Sequence, residues 1–449
     1  MKTDPPHILC VNPWIHDFAA FDFWAKPLGL LSLAAILREN GLKISYIDCL
    51  DRFHPRQDPP AKVQWDGRGP FKKTPIPFPE EIQAQLPEVG QPFSRYGIDP
   101  EWFFRDLKNI PRPDLIFVTS MMTYWATGVR ETIEKIKQVF PGVPVILGGI
   151  YATLCQDHAI SHSLADRVIA GPGESCLKSL VKEFTGFNLG FIPDPDDLDT
   201  FPFPALDLQH HLAYAPIMTS RGCPFACEYC AASFLEPTLR RRSPDNVFKE
   251  IQHWHRKYGV KNFAFYDDAL LVKGNVHAFP LFEQLIDSKM EVNFHTPNAV
   301  HIREITPKAA TLMFKAGFKS IRMGLETTDF SRDRHHDIKV REDEFFMAVE
   351  NLKSAGFDPK QLGAYLLCGL PNQDLEEVAA SMALVKKTGI LPVLAYYTPI
   401  PHTPMWEDAV KKARFDITRH PVFTNNTLFP CVRSDKDLNR ISQLKNMKN

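Results

Sequence analysis

The feature that most constrains this chain is the stretch SRGCPFACEYC, residues 220–230, which places three cysteines within eight positions. Thiolates are soft ligands that select zinc or iron–sulfur clusters. Structural zinc takes four ligands, commonly as two close pairs, and the chain has no second Cys-x2-Cys pair. A cubane cluster takes one external ligand for each iron, so three cysteines leave one iron open. Cys223, Cys227 and Cys230 therefore predict a [4Fe-4S] cluster, with a zinc site completed by a distant His or Cys as the alternative.

Length and charge limit the class of protein. A chain of 449 residues predicts two or three domains. Its 52 basic and 53 acidic residues leave no net field for nucleic acid or an anionic membrane, so we expect a small-molecule or peptide substrate. The N-terminus lacks a signal pattern, and its apolar run LGLLSLAAIL is about half the length of a membrane span. Nine cysteines, an odd number, do not fit a disulfide framework, so we expect a cytoplasmic protein.

Apolar segments alternate with amphipathic ones over residues 1–187. HILCVN, KISYID, DLIFVTS, VPVILGG and RVIAG have the pattern of buried parallel strands, with helices between them. This alternation predicts a doubly wound, Rossmann-like α/β domain. An aromatic and Pro-rich insertion at about residues 51–110 interrupts it where a short connection would be expected. We interpret the insertion, with its basic stretch RGPFKK, as a substrate-contacting lid; a simple surface wrap is the alternative.

A second alternating series occupies residues 214–415, after a linker at residues 188–213 and before an extension at residues 416–449. Its predicted strands are APIMTS, NFAFYDD, EVNFHTPN, KSIRMGLE, QLGAYLLCG and LPVLAYYTP. Six βα units predict a partial (βα)6 barrel with its active site at the carboxyl ends of the strands. The three cysteines follow the first of these strands and thus lie at that end.

The cysteine stretch resembles the cluster motif of the radical S-adenosylmethionine (SAM) enzymes. The resemblance rests on the spacing Cys-x3-Cys-x2-Cys, on Arg221-Gly222 before the first cysteine and on Tyr229 before the last. It implies that SAM chelates the open iron through its amino and carboxylate groups and is cleaved to a 5′-deoxyadenosyl radical. It also implies a flavodoxin- or ferredoxin-type electron donor. Cys368, inside an apolar strand, is interpreted as a small buried hydrophobe and not as a fourth ligand.

The resemblance extends to other predicted contacts with SAM at the strand ends. Asp267 and Asp268 occupy the place where the family binds the amino group, and Glu326 matches the position that contacts the ribose. A carboxylate suits both tasks because it only accepts hydrogen bonds. For each carboxylate, capping of the following helix is the alternative. Gly369 and Tyr397 belong to segments that resemble those packing against adenine.

In the N-terminal domain, the candidate cofactor-binding residues lie at the carboxyl ends of strands, where α/β sheets bind ligands. They are Met121, Thr123, Gly148, Gly149, Tyr151, Gly171, Gly173 and Glu174. Glycines there let backbone amides approach a phosphate, and the helix after Gly173 offers its positive end. Ordinary strand-ending turns are the alternative.

The segments PLGLLSLAAILRENG and ILGGIYAT resemble the cobalamin-binding domain of the cobalamin-dependent radical SAM enzymes. The resemblance implies bound cobalamin. The Asp-x-His-x-x-Gly motif, which gives some cobalamin proteins a histidine ligand to cobalt, is absent. We therefore expect a cobalt whose lower face has no histidine and is covered by residues 121–125.

The resemblance most commonly implies methylation of an unactivated carbon. Such an enzyme forms S-adenosylhomocysteine and a methylated product together with 5′-deoxyadenosine. A radical SAM cyclase or rearrangement enzyme is the first alternative and forms 5′-deoxyadenosine without methyl transfer. The second is a non-catalytic corrinoid or iron–sulfur carrier, which cleaves no SAM; the strand-end carboxylates and the open iron argue against it.

Overall fold

The computed structural model describes residues 4–83, 92–331 and 340–447, and the chain divides into two compact units. The first unit comprises Met1–Ala213 and Ile417–Thr424, and the second comprises Tyr214–Asp416 and Asn425–Asn449. Residues 84–91 of the predicted insertion and residues 332–339 of the predicted barrel lie outside the described residues.

The first unit combines a parallel sheet, an antiparallel sheet and surrounding helices. Its strands are β1 (His7–Asn12), β2 (Ile15–Asp17), β3 (Lys43–Asp48), β4 (Lys73–Pro75), β5 (Ser94–Tyr96), β6 (Leu115–Val118), β7 (Val145–Leu147) and β8 (Arg167–Val168). Its helices are α1 (Leu28–Glu39), α2 (Glu80–Gln83), α3 (Pro100–Asn109), α4 (Ala126–Val139), α5 (Ile150–Leu154), α6 (Gln156–His162) and α7 (Glu174–Thr185).

The main sheet of this unit is parallel, in the order β3-β1-β6-β7-β8. Strands β6 and β7 are buried along their whole length, as expected of strands covered on both faces. The chain runs from β1 to β3 on one side and then to β6 on the other, so the switch point lies beside β1. The predicted doubly wound fold is confirmed.

The described part of the insertion is folded onto the first unit. Strands β4 and β5 form an antiparallel sheet with β2. Arg52 forms a buried ion pair with Asp22 at 3.0 Å. Within the basic stretch, Arg68 pairs with Asp66 at 2.7 Å and stacks over the ring of Trp24. The charge of Arg68 is therefore engaged within the unit, and the lid interpretation of the insertion stays a prediction.

The division of the chain differs from the predicted boundaries in two places. Residues 188–213, predicted as a linker, pack on the first unit, because Leu189, Leu198 and Leu206 are buried there. The predicted C-terminal extension is shared between the units. Its residues Ile417–Thr424 join the first unit, where the hydroxyl groups of Thr123 and Thr424 lie 3.5 Å apart.

The second unit alternates strands and helices. Its strands are β9 (Ala215–Ile217), β10 (Ser220–Arg221), β11 (Arg240–Arg241), β12 (Asn262–Phe265), β13 (Asn293–His295), β14 (Phe318–Glu326), β15 (Leu362–Cys368) and β16 (Leu391–Tyr396). Its helices are α8 (Ala232–Leu235), α9 (Pro244–Tyr258), α10 (Ala278–Ser288), α11 (Pro307–Ala316), α12 (Glu342–Ala355), α13 (Leu375–Lys387), α14 (Trp406–Lys412) and α15 (Asp435–Asn446).

Six of these strands form one parallel sheet in the order β9-β12-β13-β14-β15-β16, which confirms the partial (βα)6 barrel. Phe265, Phe294 and Phe318 pack together in its core, with ring centroids 5.4–5.6 Å apart. Because the strands are parallel, their carboxyl ends share one edge, where the loops can bring side chains together. No helix in the described ranges is both long and apolar enough to cross a bilayer.

Candidate active site

The three cysteines lie in the loop between β10 and α8, at the carboxyl end of β9. Cys227 is 8% exposed, and Cys223 and Cys230 are half-buried. Gly222 precedes them with a φ of 85°, and a Cβ there would stand 2.7 Å from the carbonyl oxygen of Thr238. Only glycine therefore fits this turn without strain.

The ligands that this loop offers are sulfur atoms, which suit an iron–sulfur cluster. The backbone N–H of Ala232 donates to Cys230 Sγ at 3.4 Å, and His301 Nε2 lies 3.9 Å from Cys223 Sγ. Among the described residues, no three Cys, His, Asp or Glu side chains are arranged to hold one metal ion together. A cubane places each thiolate on a different iron, so its ligands do not converge on one point. Cys368 is fully buried in β15.

A buried network supports the start of the cysteine loop. The carboxylate of Asp267 accepts hydrogen bonds from the backbone and hydroxyl of Thr219, at 3.1 and 2.6 Å, and from the Ser220 hydroxyl at 2.7 Å. His277 Nε2 lies 2.6 Å from the same Thr219 oxygen. Burial, and after it the charge of Arg241, lowers the pKa of His277 to about 4, so the ring is neutral near pH 7.

The two predicted aspartates thus have different surroundings. Asp267 is buried and holds the residues that precede Cys223, whereas Asp268 is exposed at the end of the same strand. Desolvation of its carboxyl group, with the charges of Asp267 and Glu236, raises the pKa of Asp268 to about 6. Of the two residues, Asp268 is the more exposed. Sequence reasoning missed Thr219 and His277, because neither belongs to a recognisable motif.

The other predicted SAM contacts end the next strands of the barrel. Glu326, the last residue of β14, has a φ of 68°, which is uncommon for a residue other than glycine and typical of functional sites. Gly369 has a φ of 90° and donates its N–H to Gln373 Oε1 at 2.7 Å. Tyr397 is 4% exposed; burial, and then the thiol of Cys431, raises its pKa.

In the first unit, the predicted cofactor loops follow the adjacent strands β6, β7 and β8. A Cβ built on Gly148 or on Gly171 would meet no atom within 4 Å, so both backbones border open space. A Cβ on Gly149, whose φ is 97°, would overlap the carbonyl oxygen of Ser120. Gly148 and Gly171 therefore leave room for a large ligand such as cobalamin to approach the backbone closely, whereas the fold itself requires Gly149.

The remaining residues of this group differ in accessibility. Met121 is half-buried, whereas Thr123 is only 5% exposed and packs against Thr424. Tyr151 is fully buried, and its hydroxyl lies 2.7 Å from His158 Nδ1, so a ligand can reach it only through its backbone. Gly173 and Glu174 start α7, with Glu174 in the first turn.

Two family models match the chain. The model of the radical SAM superfamily matches residues 217–385, and that of the B12 binding domain matches residues 96–181. The chain therefore contains a radical SAM domain and a B12-binding domain. The cysteine loop lies within the radical SAM domain, and the strand-end glycines Gly148, Gly149, Gly171 and Gly173 lie within the B12-binding domain. These matches identify [4Fe-4S], SAM and cobalamin as its cofactors.

Curated relatives of the chain include methyltransferases. An uncharacterized methyltransferase of Pyrococcus horikoshii is 26% identical over 347 residues, which cover 70% of this chain and 74% of that protein. The cytidylyl-2-hydroxyethylphosphonate methyltransferase of Streptomyces wedmorensis is 20% identical over 85% of this chain and 77% of that protein.

A solved structure shares the same fold over most of the chain. It is the radical SAM methyltransferase TsrM from Kitasatospora setae with tryptophan and a SAM analogue bound. The match has a TM-score of 0.65 and 15% identity, and covers 90% of this chain and 76% of that one. A second structure of TsrM contains cobalamin and a [4Fe-4S] cluster.

Proposed function

We propose that this chain is a cobalamin-dependent radical SAM methyltransferase that acts on an unactivated carbon. The observation that carries the proposal is that one chain contains both the three-cysteine barrel loop and a B12-binding sheet with open strand-end glycines. When bound, the cluster with SAM supplies a 5′-deoxyadenosyl radical and cobalamin supplies a methyl group. The methyltransferase names of the relatives support the same reaction.

The residues of the barrel bind and orient SAM in this proposal. Cys223, Cys227 and Cys230 hold the cluster. Asp268 accepts hydrogen bonds from the SAM amino group, while Asp267 positions the cysteine loop through Thr219 and Ser220. Fixed orientation matters because a radical must meet its target before it reacts elsewhere.

Further barrel contacts complete the SAM site. Glu326 accepts from the ribose hydroxyl groups. The backbone at Gly369, fixed by Gln373, borders the adenine, and the Tyr397 segment adds apolar contact. In the first unit, Gly148, Gly149, Gly171 and Gly173 bring backbone amides to cobalamin, and Met121, Thr123, Tyr151 and Glu174 complete its surroundings.

The partners and the setting belong to the same proposal. We infer a small-molecule or peptide substrate, and a flavodoxin- or ferredoxin-type donor for the cluster. Nucleic acid is not among the proposed partners, because the balanced charges supply no field for it. None of the nine cysteines forms a disulfide bond, which supports a reducing, cytoplasmic compartment.

The experiment incubates anaerobically purified protein with SAM, a one-electron reductant and candidate acceptors, with and without cobalamin. Both 5′-deoxyadenosine and S-adenosylhomocysteine are measured. We expect both products, and formation of S-adenosylhomocysteine that requires cobalamin. The variant Cys223→Ala/Cys227→Ala/Cys230→Ala, the matched control, forms no 5′-deoxyadenosine. Product 5′-deoxyadenosine without S-adenosylhomocysteine would contradict methyl transfer and favour a rearrangement, and the absence of both would favour a carrier.

A further inference from the structure

His301 contacts the cysteine loop in a way that the proposed reaction does not require. Its Nε2 atom lies 3.9 Å from Cys223 Sγ, within the range of a hydrogen bond to sulfur. Its ring packs against Phe225, with centroids 4.1 Å apart at 45°. The imidazole therefore touches both a cluster ligand and the residue two positions beyond it.

The backbone holds His301 in this position. The neighbouring residues Val300 and Ile302 are 3% and 2% exposed, so both sides of the histidine are anchored in the core. Val300 donates its N–H to Arg322 O at 2.8 Å and accepts from Gly324 N at 3.2 Å, which ties this segment to β14. Displacement of the His301 backbone would require these contacts to break, and Phe225 packs against the imidazole itself.

The geometry favours a hydrogen bond to the ligand over ligation of the open iron. Each iron of a cubane takes a single external ligand, so side chains on different irons stand farther apart than a hydrogen bond. A cysteine bound to iron is a thiolate without a proton, so the imidazole is the donor of the pair. Hydrogen bonds to cluster sulfurs are among the main determinants of reduction potential.

We propose that His301 donates its Nε2–H to the Cys223 thiolate and thereby raises the reduction potential of the cluster. The reduced cluster carries one more negative charge, which strengthens a hydrogen bond to its ligand. His301 would thus make electron transfer from a mild donor more favourable. The inference rests on the cluster at the three cysteines and is independent of methyl transfer.

The test is an anaerobic redox titration of the reconstituted cluster, followed by electron paramagnetic resonance. His301→Phe keeps a ring against Phe225 but removes the donor, and His301→Gln keeps an N–H donor. We expect His301→Phe to lower the equilibrium constant for one-electron reduction roughly tenfold, which is ~59 mV. His301→Gln is expected to stay close to wild type.

The controls make the outcome decisive. His253→Phe makes the same chemical change on α9, away from the cysteine loop, and is expected to leave the potential unchanged. Equal potentials for wild type and His301→Phe would overturn the proposal, as would equal shifts in His301→Phe and His301→Gln. Loss of iron from both His301 variants would also overturn it and make His301 a ligand. If the enzyme formed no methylated product, the reduction potentials of the cluster could still be measured, and this inference would still be tested by them.

Discussion

At the scale of single residues, neighbouring carboxylates at the end of β12 have separate tasks. Asp267 is buried, and its oxygens accept from Thr219 and Ser220, so it fixes the loop that leads to Cys223. Asp268 is exposed, and its raised pKa of about 6 means that its charge changes between pH 5 and pH 7. The pair predicts that a proton on Asp268 competes with SAM.

SAM binding by the anaerobically reconstituted enzyme is therefore expected to weaken about tenfold from pH 7 to pH 5. Above pH 6 the Asp268 carboxylate is ionised and accepts a hydrogen bond from the SAM amino group; below pH 6 it is protonated and becomes a weaker acceptor. Isothermal titration at both pH values measures the effect. The Asp268→Asn variant is expected to bind SAM more weakly than wild type at pH 7, and its affinity for SAM is expected not to change with pH. An unchanged pH profile in this variant would assign the titration to another group.

At the scale of elements, the loop after β7 in the B12-binding domain contains two adjacent glycines, and only one of them needs to be glycine for the backbone to fold. Gly149 has a φ of 97°, and a Cβ added to it would lie 2.3 Å from the carbonyl oxygen of Ser120. Gly148 has neither restriction. The same dipeptide thus contains one glycine required by the fold and one that leaves room for a ligand.

Gly149→Ala is expected to destabilise the cofactor-free protein by about 1–3 kcal/mol, the usual free-energy cost of a backbone conformation reserved for glycine. The matched Gly148→Ala variant should change the free energy of unfolding little, or raise it by a few tenths of a kcal/mol through the unfolded state. Urea unfolding followed by circular dichroism measures both. Equal unfolding midpoints for the two variants would refute the conformational argument.

Much of this architecture follows from local sequence patterns. In the described ranges, all eleven parallel strands occur where apolar runs predicted them, and Cys223, Cys227 and Cys230 occupy one strand-end loop. His277 and His301 were not predicted, because their partners lie 58 and 78 residues away and no local spacing records such contacts. The sequence did place His301 in the segment that follows β13, at the carboxyl end of the barrel strands, and this position could have indicated a role in the site.

At the scale of the whole molecule, the chain forms two units, and its C-terminal part returns to the first. Residues 417–424 carry no periodic pattern, so the sequence could not assign them to the α/β unit. There they cover Thr123 and place His420 beside His158, with ring centroids 4.6 Å apart. In the proposed function, the two cofactors have separate binding residues, one set in each unit.

The measurement that tests this account most directly is the content of iron, sulfide and corrinoid per chain, in wild type and two variants. Wild type is expected to hold about four irons and about one corrinoid. Cys223→Ala/Cys227→Ala/Cys230→Ala should lose the iron and keep the corrinoid. Gly148→Leu, which fills the open strand-end space, should lose the corrinoid and keep the iron, whereas the exposed control Gly190→Leu keeps both. Zinc in place of iron, or no corrinoid in wild type, would contradict the two-cofactor account.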